Sequence, residues 1–534
     1  MSHKAEIFLV QMPQACPEPN IALAQLYAYA KREGFETRVM DVSIELYHRY
    51  KAASANLWAD ETWSIWMDQA FVSRFLAEDK AWMEGRFLKD ILSAPKPVVG
   101  FSVSGPSLRA SQELARWIKA VRPDALVAVG GQVFAVEPFF YRQALEDACI
   151  DAVIFGDGEE TLCELASVYE DGRDWGGCRG LYVRNPEGGF SFTGERPLLN
   201  LDDLPFADYA PFNMGLYGSN HVSAHDLVLM TSRGCVRRCS FCGNRTAWKG
   251  FRQMSGERVH AEIQHQRRVM PSLSHADSEI KFYDLLINGD MRKMTRMAEL
   301  LAADSQPPLA WKDVNAVVRP EMTYEACRKL YEAGCRILII GLESGSQKVL
   351  DAMDKGQTVA QMKEVLKNAH RAGLKVRGNF MFGHPGETEE DFELTMDFLR
   401  EMHPYIYQAY PSYTFTHLEG RLAQNPEKWG VQKNQHYLYW ESDDGSSTFP
   451  KRLERYKAFR ELAVSLDKLP QGDGLVLSLD AYMHFNFGGY YENLGKPKEA
   501  LDHYWEYLRE DPANAFVKEK ILKLSRALTA VVAA

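Results

Sequence analysis

Five short apolar runs stand out in the first 160 residues: Glu6-Ile-Phe-Leu-Val10, Arg38-Val-Met-Asp-Val42, Pro97-Val-Val-Gly-Phe-Ser-Val103, Ala125-Leu-Val-Ala-Val129 and Asp151-Ala-Val-Ile-Phe155. Amphipathic stretches of helical period separate them. Continuous apolar runs alternating with helices predict strands buried on both faces, hence a doubly wound parallel α/β sheet with right-handed crossovers. A second series follows: Leu227–Thr231, Ile280–Asp284, Ala310–Val314, Arg336–Ile340, Lys375–Phe382 and Tyr405–Ala409. Helices are predicted between them at about 257–270, 291–303, 323–333, 358–372 and 387–402. Six β/α units make an incomplete (β/α)6 barrel, and functional residues gather at the carboxyl ends of such strands.

The same pattern divides the chain. Residues 1–177 form the first domain, 178–225 a linker, 226–425 the partial barrel and 426–534 a helical C-terminal region. The linker reading rests on Pro186, Pro197, Pro205, Pro211 and several glycines. Residues 44–94 are a helical insertion carrying Trp58, Trp63, Trp66 and Trp82. A cap that buries its aromatics is the preferred reading, ahead of a lid. Near the end, Phe487-Gly488, Tyr491, Gly495, Ala500, Tyr504 and Pro512 fall at the offsets of one tetratricopeptide unit. A single unit cannot build a solenoid, so it is expected to pack as a helical pair on the core.

Composition adds boundaries. Of 534 residues, 46% are apolar and 25% charged, as in an ordinary globular protein. A net charge of −10 argues against broad nucleic-acid binding. No apolar run approaches the roughly 18 residues of a membrane span, and no signal peptide is expected before the first strand. Of nine cysteines, Cys16, Cys149, Cys163, Cys178, Cys327 and Cys335 show no disulfide-like pattern, which predicts a reducing cytoplasm.

The other three carry the chemistry. Cys235, Cys239 and Cys242 stand as C-x3-C-x2-C in Thr231-Ser-Arg-Gly-Cys-Val-Arg-Arg-Cys-Ser-Phe-Cys-Gly-Asn-Arg245. Three thiolates on one loop suit three irons of a [4Fe–4S] cube and leave the fourth iron for a non-protein ligand. Structural zinc sites pair two C-x2-C units or mix Cys with His, and no second pair is present. Glycine- and serine-rich segments end the strands of the first domain: Gln11 after the first, Ser102 and Ser104 after the third, Gly130-Gly131-Gln132 after the fourth, and Gly156-Asp-Gly158-Glu159-Glu-Thr-Leu-Cys-Glu-Leu165 after the fifth.

The cysteine loop closely resembles that of the radical S-adenosylmethionine (SAM) enzymes. The first domain, with its G-x-G-E-x-T-L segment, resembles the cobalamin-binding domain that precedes many radical SAM cores. Leu201-Asp-Asp-Leu-Pro-Phe-Ala-Asp-Tyr209 resembles the connector of the same two-domain family. The resemblance implies a [4Fe–4S] cluster whose open iron chelates SAM, reductive cleavage to a 5′-deoxyadenosyl radical, and a cobalamin on the first domain. It places Gln11, Ser102, Ser104, Gly130, Gly131, Gln132, Gly156, Gly158 and Glu159 against cobalamin. It places Phe241, Asp284, Glu343, Ser344 and Gly383 around SAM. Glu343 and Ser344 come from Gly341-Leu-Glu-Ser-Gly-Ser346, and Gly383 from Phe380-Met-Phe-Gly-His-Pro-Gly-Glu-Thr388. The chain departs from the family in three places. It lacks the D-x-H-x-x-G motif, so the corrinoid would carry no protein histidine. It lacks the G-G-E motif near Asp284, and Pro411–Gly420 replaces the usual P-G-T turn.

Ser346 and Thr388 serve equally well as helix caps. His384 and His417 are candidate proton acceptors, with satisfied loop histidines the preferred reading. The expected enzyme is a cobalamin-dependent radical SAM methyltransferase of the class B type. It would act on an unactivated carbon of a small molecule, natural product, lipid or peptide, and take electrons from a flavodoxin or ferredoxin. The rivals are a radical rearrangement, cyclisation or ring contraction on the same architecture, and an Fe–S scaffold or sensor without SAM cleavage. A methylthio-transferring tRNA enzyme would need further N-terminal cysteines and a basic RNA-binding barrel, and neither is seen.

Overall fold

The computed structural model describes residues 5–14, 18–58, 65–136, 139–185, 187–219, 222–244, 248–414, 420–431, 436–469, 478–512 and 514–533. The chain forms two compact units. The first comprises residues 1–236, 243–315 and 329–336, and the second residues 237–242, 316–328 and 337–534.

The first unit opens with a seven-stranded sheet. Its strands are β1 (Ala5–Gln11), β2 (Glu36–Asp41), β3 (Lys96–Ser102), β4 (Leu126–Gly130), β5 (Ala152–Ile154), β6 (Leu181–Arg184) and β7 (Phe190–Phe192), in the order β2-β1-β3-β4-β5-β6-β7. The first five are parallel, and β1, β3 and β4 are buried almost throughout, as their apolar runs require. Reversal of strand order between β1 and β3 opens a crevice at their carboxyl ends. The hairpin β6–β7 lies in the stretch read as linker. It pairs antiparallel with β5 and turns at Gly188-Gly189, both at positive φ. The first domain therefore extends past residue 177, because the turn glycines allow a tight hairpin and Leu181 and Val183 are buried on the sheet. Only the later part of that stretch connects. There the Ala207 N–H donates to Glu262 Oε1 at 2.9 Å, and the Ala207 carbonyl accepts from Gln266 Nε2 at 2.6 Å.

The described residues of the insertion are mostly helical and pack Trp58 and Trp66 into the first domain's core with Phe75, as a cap of buried aromatics does. Trp63 lies outside the described residues.

After the short antiparallel pair β8 (Gly218–Ser219) and β9 (Val222–Ser223), the same unit holds β10 (Leu227–Leu229) and a ribbon of β11 (Ser232–Arg233) with β12 (Arg252–Gln253). It continues with β13 (Glu279–Phe282) and β14 (Ala310–Trp311), and β10, β13 and β14 form a parallel sheet. The expected single strand Ala310–Val314 is broken. Asp313 adopts φ 58, a left-handed conformation that ends β14, and a new strand, β15, runs over Val314–Ala316.

The second unit contains the parallel strands β16 (Ile337–Glu343), β17 (Lys375–Phe382) and β18 (Gln408–Tyr413). The last was expected at Tyr405–Ala409. His403-Pro404-Tyr405 instead forms a 3-10 turn, which delays the strand by three residues. The helices between strands, Gly256–Val269, Met291–Ala302, Tyr324–Glu332, Val359–Ala372 and Glu389–Met402, lie where the periodicity put them. Thr388 caps the last of these through a capping box with Asp391, and Ser346 caps the helix Gln347–Ala352. In the C-terminal region, Leu479–Asn493 and Pro497–Glu510 form the expected helical pair. Gly488 lets it close tightly, since a Cβ there would meet Tyr504 at 2.5 Å. Met483 and Tyr490 of the first helix pack on Phe449 and Leu453 of the helix Phe449–Ser465.

Candidate functional site

In the first unit, the carboxyl ends of β1, β3, β4 and β5 line a cleft of about 300 Å³. Ser102, Ser104, Gly130, Gly131, Gln132, Gly156, Gly158 and Glu159 all border it, which gathers most of the residues proposed for cobalamin. Polar rim groups are held in place: Asn20 Nδ2 donates to Ser102 Oγ at 3.0 Å, and the Ser104 hydroxyl donates to Gln14 Oε1 at 2.8 Å. Gly156 has φ +86 and open space where a Cβ would stand, so the backbone itself faces the cleft. Gln11 differs from the others. It ends β1 outside the lining, buried, and neither atom of its amide finds a partner among the described residues. The residues present fit a corrinoid, and no histidine is among the described residues lining the cleft.

One wall was not foreseen. Met230, Arg233 and Trp248 also line the cleft. The Arg233 guanidinium, buried, donates to Asp157 Oδ1 at 2.8 Å and to both carboxylate oxygens of Glu159. Arg252, its cross-strand partner on β12, reaches Asp157 at 2.6 and 3.1 Å. Burial alone would raise the Asp157 carboxyl. The Arg252 and Arg233 guanidiniums hold it below the usual carboxylate range. The available signal was the arginine two residues before the first cysteine, with two carboxylates in the glycine-rich loop.

The three cysteines are in no disulfide; Cys239 is buried, and Cys235 and Cys242 are half-buried. Among the described residues no three His, Cys, Asp or Glu side chains gather as a single ion would need. A cube instead takes each thiolate on a different iron, and three cysteines on one loop fit that group. The part of the loop that belongs to the second unit, residues 237–242, is pinned there. The Cys242 N–H donates to the Cys239 carbonyl at 3.3 Å, the Ser240 N–H to the Met353 carbonyl at 2.8 Å, and the Leu422 N–H to the Ser240 carbonyl at 2.8 Å. Arg421 bonds the Arg238 carbonyl and pairs with Asp354 at 2.6 Å. Phe241 packs against Val349, Met353 and Met381.

The remaining residues proposed for SAM are engaged by the protein. Asp284 is buried, and its carboxylate accepts from the Thr231 N–H at 3.0 Å, the Thr231 hydroxyl at 3.0 Å and the Ser232 hydroxyl at 2.5 Å. Burial pushes its pKa up to about 6, against these bonds, which lower it. Its geometry is that of a brace for the strand leading into the cysteine loop. Ser344 is fully buried and shares a 3.0 Å hydrogen bond with Thr395. Glu343 sits at φ 65, beside a bulge, and pairs with Lys355 at 2.5 Å. Gly383, at φ +80, is covered by Arg452, whose Cγ would lie 2.1 Å from an added Cβ. His384 is no open proton acceptor. It is fully buried, bonded to the Ser240 hydroxyl at 2.9 Å, and burial pushes its pKa down to about 4. His417 lies outside the described residues.

Known proteins bear on both sites. The model of the Radical SAM superfamily matches residues 229–399, and that of the B12 binding domain matches residues 82–166. The chain is 29% identical over 331 residues to an uncharacterised methyltransferase of Pyrococcus horikoshii, covering 61% of this chain and 68% of that protein. It is 24% identical over 438 residues to the cytidylyl-2-hydroxyethylphosphonate methyltransferase of Streptomyces wedmorensis, covering 75% and 76%. In fold it is similar to the radical SAM methyltransferase TsrM of Kitasatospora setae, solved with cobalamin and a [4Fe–4S] cluster. The TM-score is 0.62 at 17% identity, over 96% of this chain and 100% of that one. The superfamily match runs through all three cysteines and the B12-binding match through the Gly156–Glu159 loop, so the chain carries a radical SAM domain with a B12-binding domain ahead of it.

Proposed function

We propose that this protein is a cobalamin-dependent radical SAM methyltransferase that methylates an unactivated carbon of a small molecule, natural product, lipid or peptide. The observation that carries the reading is a strand-end cleft fit for a corrinoid in a chain that also bears the three-cysteine loop. When bound, the cluster supplies the electron that cleaves SAM and the corrinoid supplies a transferable methyl group. The chain's own residues hold these groups. Cys235, Cys239 and Cys242 are the cluster ligands; Phe241 packs the loop between two of them onto Val349, Met353 and Met381. Ser102, Ser104 and Gln132 present hydrogen-bonding groups to the corrinoid edge, and Gly156 and Gly158 admit it close to the backbone. Asp284 braces the strand end rather than meeting substrate. The protein works in the cytoplasm with a flavodoxin or ferredoxin as reductant.

No helix among the described residues is long and apolar enough to cross a membrane. The test supplies anaerobically reduced, corrinoid-loaded protein with SAM carrying a deuterated methyl group and a fractionated small-molecule extract. Both 5′-deoxyadenosine and S-adenosylhomocysteine are expected, with label in a product, and replacing any of the three cysteines with Ala should abolish 5′-deoxyadenosine. If 5′-deoxyadenosine forms with neither S-adenosylhomocysteine nor label transfer, cyclisation or ring contraction takes the place of methylation.

A further inference from the structure

We infer that Arg233 is a positioning residue that couples occupancy of the corrinoid cleft to the cluster loop, an inference that rests on the two-cofactor reading above. Arg233 stands two residues before Cys235 and lines the cleft with its partners Asp157 and Glu159. The contact is a fork: one guanidinium spans two carboxylates that flank Gly158, the first residue of the helix Gly158–Glu170. Such charge-assisted, planar contacts fix orientation as well as distance.

The ribbon makes this arrangement specific. Arg233 and Arg252 face each other across β11 and β12. Like charges directly opposite are unfavourable in a sheet, and here the carboxylates of Asp157 and Glu159 reconcile them. The two arginines stay together only while the Gly156–Glu159 loop is in place. Gly234 then carries the constraint forward. It lies at φ +88, and a Cβ there would meet the Gly250 carbonyl oxygen at 1.9 Å. With a left-handed backbone and no room for a side chain, the link from Arg233 to Cys235 has little freedom. Arg233 lines the cleft while already buried with its two carboxylates, so a ligand filling the cleft bears directly on a fixed fork and through it on the segment that leads to Cys235. By linkage, whatever the corrinoid does for the cluster loop, the cluster does equally for corrinoid affinity.

The experiment compares hydroxocobalamin affinity, by anaerobic equilibrium dialysis, of full-length protein with and without its reconstituted cluster, with iron counted in each sample. Wild type should bind more tightly with the cluster present, by on the order of 5-fold or more. Arg233→Met should keep its iron and still bind corrinoid, with the ratio reduced to about 1. Arg233→Lys, which keeps the charge and loses the fork, should fall between. If Arg233→Met does not fold, Asp157→Asn with Glu159→Gln removes the same contact from the other side and should give the same ratio. An unchanged ratio in these variants, or no cluster dependence in wild type, overturns the coupling and leaves the two-cofactor reading standing. Wild-type protein that holds a cluster and retains no hydroxocobalamin overturns both.

Discussion

The strand ends of the two units differ in what surrounds their polar residues. Beyond β3, β4 and β5, Ser102, Ser104, Gln132 and Gly156 border an open cleft. Beyond β16 and β17, Ser344 and Gly383 face Thr395 and Arg452 of the same unit, and Glu343 is tied to Lys355. Small and polar residues at the carboxyl ends of parallel strands thus serve two ends. They form a ligand rim where nothing packs over them, and they form caps and braces where a helix does. Buried polar groups must be paired in either case. In the second unit the protein itself is the partner, whereas the rim groups of the cleft keep capacity for the ligand proposed above.

The largest effect that would sharpen this contrast is a pH dependence at Asp284, the brace in the first unit. Its folded pKa is about 6, against roughly 3.9 for an unfolded aspartate. The folded chain therefore holds the proton more tightly. That contribution to stability is fully present below the unfolded value and is lost as pH rises through about 6. Asp284→Asn cannot ionise. The stability advantage of wild type over the variant should shrink by on the order of 3 kcal/mol between about pH 3 and 7, read from denaturation midpoints across that range. A difference that stays flat would mean that Asp284 is open to solvent or ligand, as first expected from sequence.

A smaller effect separates the two sets directly. Ser344→Ala strips partners from the Ser346 N–H and the Thr395 hydroxyl. It should cost about 1–3 kcal/mol of stability, the penalty for buried groups left unpaired, measured by thermal or denaturant midpoint. A neutral result would move Ser344 from brace to ligand contact.

The smallest stability effect belongs to the cleft. Ser104→Ala and Gln132→Ala should shift stability by no more than about 0.5 kcal/mol, as surface changes do. Each should nevertheless weaken hydroxocobalamin retention by up to about tenfold, the equivalent of one hydrogen bond. A variant that loses stability and keeps its corrinoid would erase the distinction between rim and brace.

Much of this protein was decided locally and could be read from sequence. Buried-strand runs and helical periods determined the parallel sheets and the helices between their strands, because each signal lies within a few residues of the element it makes. The C-x3-C-x2-C spacing determined the cluster loop for the same reason. Gly188-Gly189 made a hairpin where prolines suggested a linker, since the turn matters only once Leu181 and Val183 have a sheet to cover. Asp313 broke a strand that its apolar neighbours favoured. Tertiary structure alone decided which polar residues stay open. Asp284 and His384 carry side chains suited to catalysis, and their burial against Thr231, Ser232 and Ser240 made them braces. Arg233 reads in sequence as a surface charge beside a cysteine. Its role arises from carboxylates more than 70 residues away, and no local pattern specifies such a partner.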